Sequence, residues 1–196
     1  MAHLLGGSLT LLAGLIGTAG PTLAGVAGWV LEANVASPSY ALAEPASTDL
    51  NIDAVVLSCE QGPERRGVQL RLYLSGQGPL APKAAAALKD DPRVELAIDG
   101  VSQAADLLFA DDFVVVADTA DGAMPLLSEA FLDRLQAGRR LELRFDLVQE
   151  ARGEAPSFDG SAVVDLQAGP GGRAVAAVRH CADEPRQHLA ATPRGR

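Results

Sequence analysis

Hydrophobic and polar residues alternate most regularly in two stretches of this chain. In VQLRLYL, Val68, Leu70, Leu72 and Leu74 face one way and Gln69, Arg71 and Tyr73 the other. In RLELRFDL, Leu141, Leu143, Phe145 and Leu147 alternate with Glu142, Arg144 and Asp146. A period of two marks a strand with one buried face. Val94, Leu96 and Ile98 predict a third strand, followed by Asp99-Gly100, a strong two-residue hairpin signal. The return segment VSQAADLLF is less regular. Further strands are predicted for Asp53 to Cys59, for Phe113 to Ala117 and within FDGSAVVDLQ.

A different period appears in PLLSEAFLDRLQAGRR. Leu127, Phe131, Leu132 and Leu135 fall on one helical face, and Gly138 stops the helix. A short alanine-rich helix is expected from Pro82 to Lys89, ended before Pro92, and a closing helix in GPGGRAVAAVRHC. Strands that bury one face each and join through short turns favour antiparallel pairing. The expected fold is mainly β with α+β character: an antiparallel β-sandwich-like domain carrying two or three short helices. No internal repeat is evident.

The first forty residues break the pattern. From Met1 to Leu31 there is no Asp, Glu, Lys or Arg. Ala41-Leu42-Ala43 places small residues where signal peptidase requires them. The expected organisation is a signal peptide over 1–43, a flexible leader over 44–52, one globular domain over 53–181 and a flexible tail over 182–196. A retained membrane anchor over residues 4–30 is the rival reading, and a buried segment of a soluble protein is the third. The anchor is long enough to span, at roughly 20 residues per crossing, and would put Trp29 near an interface. Its seven glycines weaken it as a span.

Net charge is −9 and only 4% of residues are aromatic. A nucleic-acid binder normally presents excess Lys and Arg, or aromatic platforms for bases. The chain has neither, so nucleic acid is excluded as an expected partner. The cysteines number two, Cys59 and Cys181. An even count in an exported chain predicts a disulfide between them, closing nearly the whole domain in one loop. The expected compartment is therefore periplasmic or extracellular, or the periplasmic face of a membrane if the anchor is retained.

The segment from Arg93 to Cys181 carries VELAIDG, then FLDRLQAGRRLELRF, then SFDGSAVVDL. This order resembles the invasion-associated locus B family of exported bacterial proteins. The closing cysteine in AVAAVRHC is more similar to periplasmic accessory proteins of type VI secretion. The cysteine placement departs from the locus B pattern. The resemblance implies a β-sandwich-like exported domain without a known catalytic set, and no functional residue carries over from it.

Candidate chemistry is sparse. A G-x-S-x-G elbow is absent, and DGSAV around Ser161 lacks the second glycine. Ser161, His180 and an aspartate form a triad only if the fold brings them together. GPGGR, Gly169 to Arg173, lacks the Lys-Ser/Thr of a phosphate loop and reads as the start of a helix. Asp111, Asp112, Asp118 and Asp121 do not match a twelve-residue calcium loop. His180 and Cys181 are adjacent, so on a helix they point apart and do not pair with each other. Zinc sites show paired ligands, which this chain lacks.

Arg140 and Arg144 are expected on the outward face of a strand beside Glu142. With His180 they are the surface candidates. No cofactor and no metal is expected. The function these features suggest is an exported, non-enzymatic envelope protein, a disulfide-stapled binding or accessory module whose partner is another envelope or secreted protein. The alternative is a periplasmic hydrolase or metal-dependent enzyme whose residues converge only in the fold.

Overall fold

The computed structural model describes residues 28–76, 78–80, 88–149 and 157–183. Its strands are β1 (Gly28–Leu31), β2 (Tyr40–Glu44), β3 (Ser47–Thr48), β4 (Ile52–Gln61), β5 (Arg66–Leu74), β6 (Arg93–Ile98), β7 (Val101–Phe109), β8 (Phe113–Ala117), β9 (Thr119–Asp121), β10 (Met124–Leu126), β11 (Arg140–Asp146) and β12 (Gly160–Asp165). Two helices are described, α1 (Glu129–Ala137) and α2 (Gly172–Asp183). The fold is the expected antiparallel, β-rich α+β class. Its faces belong to one continuous ten-stranded sheet, in the order β1-β2-β4-β5-β8-β7-β6-β11-β12-β3. The β9–β10 hairpin is separate.

Connectivity curls the sheet. β2 pairs with β4 near one margin, while β3, only a few residues later, pairs with β12 at the other. The Ala46 amide donates to the Val163 carbonyl at 2.7 Å and extends that seam. The far strand is thereby drawn round until it meets the chain leaving β2. β1 fills the seam beside β2. Gly28, at φ +106°, packs so closely on the Ala168 backbone that a Cβ would not fit.

Inside the curl the alternation predicts the core well. Leu57, Leu70 and Val116 align across strands, as do Leu96, Leu143 and Ala162. All six are fully buried. α1 begins at Ser128, whose hydroxyl accepts from the Phe131 amide, and ends at Gly138, as its pattern requires. Its Phe131, Leu132 and Leu135 join the same core as Val175 and Val178 of α2. Asp99 (φ +48°) and Gly100 (φ +86°) form the predicted hairpin between β6 and β7, both in the left-handed region that a type I′ turn demands.

Three boundaries differ from the sequence expectation. The division after Ala43 runs through β2, and the expected leader over 44–52 contains β3 and the start of β4. Trp29, assigned to an interface under the anchor reading, is fully buried in the core. The folded unit therefore begins by Gly28 and not at Asp53. A charge-free run followed by Gly and Pro resembles a leader in composition, and short strands in it become visible only when β2 finds β4. Ala182 and Asp183, assigned to the tail by the sequence expectation, belong to α2. Residues 1–27, the greater part of the predicted Pro82–Lys89 helix and residues 184–196 lie outside the described residues. No helix among the described residues is long and apolar enough to cross a membrane.

Candidate functional site

Cys59 and Cys181 form a disulfide, with Cα atoms 6.2 Å apart and a sequence separation of 122. Cys59 lies near the end of β4, on the face that carries Val55 and Leu57. Cys181 lies in the last turns of α2, 8% exposed. The bond ties the helix to the wall it already packs on, β4 and β5. Arg66 reaches the same corner from β5, donating to the Cys181 carbonyl oxygen at 3.3 Å, with its Nη1 3.9 Å from Cys181 Sγ.

The remaining sequence candidates disperse. His180 is exposed on α2, whereas Ser161 sits on β12, with its amide donating to Asp49. No hydrogen bond links the two, and α2 packs on β1, β2, β4 and β5. Arg140 is an exposed strand residue 3.7 Å from Glu142. Arg144 stands opposite Glu95 and is ion-paired to it, donates to Ser102 at 3.1 Å and covers the Phe158 ring at 4.8 Å. These arginines face outward as the alternation implies.

Two of the acidic candidates have separate partners. Asp118 accepts from Gln103 and from both the amide and hydroxyl of Ser128, which anchors the start of α1. Asp121 pairs with Arg65 at 3.6 Å. Among the described residues no group of His, Cys, Asp and Glu could hold a metal ion. The GPGGR segment starts α2: the Arg173 and Ala174 amides turn back to the Pro170 and Gly171 carbonyls.

A site that sequence reasoning missed lies on the outer face of β2, β4 and β5. Cross-strand register builds it. Tyr40, Ser58 and Gln69 form one outward row. Leu42, Val56, Arg71 and Val115 form the next, and Tyr73 pairs with Phe113 beyond it. Serine is small between tyrosine and glutamine, so the surface dips there. The result is a groove of about 310 Å³. Tyr40 (41% exposed) and Tyr73 (37%) stand on its rim, and Leu42 and Val56 line it with Ser58 and Glu60.

The groove's polar groups are held in place. Arg71 Nη2 meets Glu60 Oε1 at 2.7 Å. Its Nε and Nη2 both donate to Gln69 Oε1, at 3.1 and 2.9 Å. The guanidinium lies 4.8 Å from the centre of the Phe113 ring, and that ring contacts Tyr73 at 5.6 Å between centroids. Gln69 is 6% exposed and is itself anchored, since its Nε2 donates to the Pro125 carbonyl at 2.8 Å. Ser58 is equally buried, and its hydroxyl has no hydrogen-bond partner among the described residues. A buried hydroxyl without a partner costs about 1–3 kcal/mol.

The β1–β2 hairpin sets the rim. The Glu32 carboxylate accepts from both the amide and the hydroxyl of Ser39, each at 2.8 Å. Those bonds, the amide first, hold the Glu32 carboxyl below the usual carboxylate range despite opposing desolvation. The Ser39 carbonyl accepts from the Cys59 amide at 2.8 Å, linking rim, groove and disulfide.

Part of this site was legible. The outward set Gln69, Arg71 and Tyr73 follows from alternation alone. Tyr40 was hidden because its segment resembles a leader, and the Glu60–Arg71 pairing requires the register of β4 on β5. The chain matches no protein-family model, no curated protein and no solved structure.

Proposed function

We propose that this protein is an exported, disulfide-stapled β-rich module that acts by binding, as an accessory component of a bacterial envelope or secretion system. The observation that carries this reading is the Cys59–Cys181 bond. Such bonds form and persist outside the reducing cytosol. The bond joins residues at a sequence separation of 122, long enough for cross-linking to restrict the unfolded chain strongly. The charge-free run from Met1 supports export, and a leader that ends before Gly28 leaves every described strand intact. The resemblance to invasion-associated locus B and to type VI accessory proteins points the same way and rests on its short motifs alone.

Binding is favoured over hydrolysis by where the polar groups lie. Ser161 and His180 occupy separate elements, while the outer groove gathers aromatic, apolar and fixed polar groups. The groove is at the small end of the size range of ligand sites. The partner class is another envelope or secreted component. The decisive experiment is the thiol state of the protein recovered from its native compartment. Differential alkylation and mass spectrometry are expected to find both cysteines oxidised and the protein in the periplasmic or extracellular fraction. Free thiols, or a cytosolic location, would overturn the reading.

A further inference from the structure

The polar side chains on the outer face of β5 are arranged unlike an ordinary solvated strand face. Gln69 is as buried as a core residue, and it fixes Arg71 from one side while Glu60 fixes it from another. Locking a polar group through a second, buried one is how binding sites hold their geometry before a ligand arrives. A partnerless hydroxyl lies at the same place, on Ser58. Native structures leave few such groups, and each calls for a reason.

Charge narrows the ligand. Among the described residues, Arg71 and Glu60 are the only ionised side chains lining the groove, and they neutralise each other at 2.7 Å. A phosphate or carboxylate would have to compete with Glu60 for the guanidinium, and a cation with Arg71 for the carboxylate. A neutral ligand faces neither competition. Arg71 Nη1 and Glu60 Oε2 take part in none of the bonds described above, so the pair still offers a donor beside an acceptor. Tyr40 and Tyr73 supply exposed ring surface on the rim.

The groove also disfavours an extended peptide. Strand addition needs an open edge. Here the groove lies on strand faces, and β2, β4 and β5 are each paired on both sides. What fits is a small neutral molecule with apolar flat faces and hydroxyls around its perimeter. That is the chemistry of a pyranose ring. We propose that this groove is a saccharide-binding site, in which separate rings of a neutral oligosaccharide pack against Tyr40 and Tyr73. Its hydroxyls bond to Arg71, Glu60 and, once the overlying side chains part, Ser58. The proposal rests on the binding-module reading and gives it a ligand class.

The test uses the oxidised protein with neutral trisaccharides: maltotriose, cellotriose and the trimer of N-acetylglucosamine. Saturation-transfer NMR and titration calorimetry report binding. At least one sugar is expected to bind, with affinity unchanged between low and high salt because no net charge is exchanged. Tyr40→Ala and Tyr73→Ala are each expected to weaken binding tenfold or more, Tyr40→Ala at unchanged melting temperature and Tyr73→Ala with a small drop from the lost Phe113 contact. Phe158→Ala, on the far side of the sheet order, serves as the control and leaves binding intact.

Ser58→Ala gives the readout that a merely structural role would not. It removes a partnerless hydroxyl, so the melting temperature holds or rises while sugar affinity falls about threefold to tenfold, the range of one hydrogen bond. Absence of binding to all three sugars overturns the proposal, as does binding that survives both tyrosine variants. Binding of a neutral phenylalanine-bearing tetrapeptide in place of the sugars overturns the ligand class. Neither result touches the export reading, which stands or falls separately on the thiol state.

Discussion

The two faces of the wall formed by β2, β4, β5 and β8 differ in how their residues are held. On the inner face, Leu57, Leu70, Leu72 and Val114 are held by burial alone, in one core with both helices. On the outer face, Gln69, Arg71 and Glu60 are held by directional bonds, with Tyr73 and Phe113 packed beside them. The inner face stabilises through the area it removes from water, at about 25 cal/mol per Å². It tolerates volume-conserving change. Half-buried ion pairs contribute little in comparison. The lesson is that stability and candidate function are separated by the pleat of a single strand, with alternate residues of β5 assigned to each.

The sharpest way to break this comparison is to remove its inner margin. A chain beginning at Glu44 lacks β1, most of β2 and Trp29, and is expected to lose cooperative folding, whereas one beginning at Gly28 retains it. Circular dichroism through thermal melts separates the two. If both fold alike, the inner face does not depend on residues 28–43 as the structure requires.

Next in size is the staple. Cys59→Ser with Cys181→Ser is expected to lower unfolding free energy by about 4–5 kcal/mol, the chain-entropy value for a loop of more than 100 residues. Urea denaturation of oxidised and double-mutant protein measures it. A loss well under 1 kcal/mol would mean that α2 is held on β4 and β5 by packing alone.

On the outer face the effects shrink. Gln69→Ala leaves the Pro125 carbonyl without its side-chain donor and unlocks Arg71, for an expected loss of about 1–3 kcal/mol. The same denaturation series reports it. A result equal to the cysteine pair would erase the contrast between the faces. His180→Ala, at an exposed helical position, should change stability by no more than about 0.5 kcal/mol. A larger loss would mean that the helix surface carries a contact of its own.

The smallest effect concerns pH at the groove's rim. Ser39 lowers the Glu32 carboxyl pKa in the folded protein. A lowered folded value means that the group's contribution is fully present above the ordinary carboxylate pKa. It is lost as pH falls through the lowered one. NMR titration is expected to place Glu32 below a normal glutamate, and Ser39→Ala to move it back up. An unshifted Glu32 in the unsubstituted protein would show that the hairpin is not held by this bond.

Alternation in β5, β6 and β11, the helical face of α1, the Asp99-Gly100 turn and the cysteine pairing were all readable from the chain. Each depends on local period, on the backbone freedom of particular residue types, or on an even count of two thiols. Such properties need no knowledge of distant neighbours. β1 to β3 escaped notice because small, uncharged residues such as Ala41 and Ala43 carry no periodic contrast. They become strand residues only through pairing with β1 and β4. Tertiary structure alone decided that one sheet would curl until β12 met the chain leaving β2. It also decided that Tyr40, Ser58, Glu60 and Arg71 would share a groove. Those outcomes depend on strand register and on contacts between residues far apart in sequence, and a one-residue slip in either strand would turn the same side chains to the opposite face.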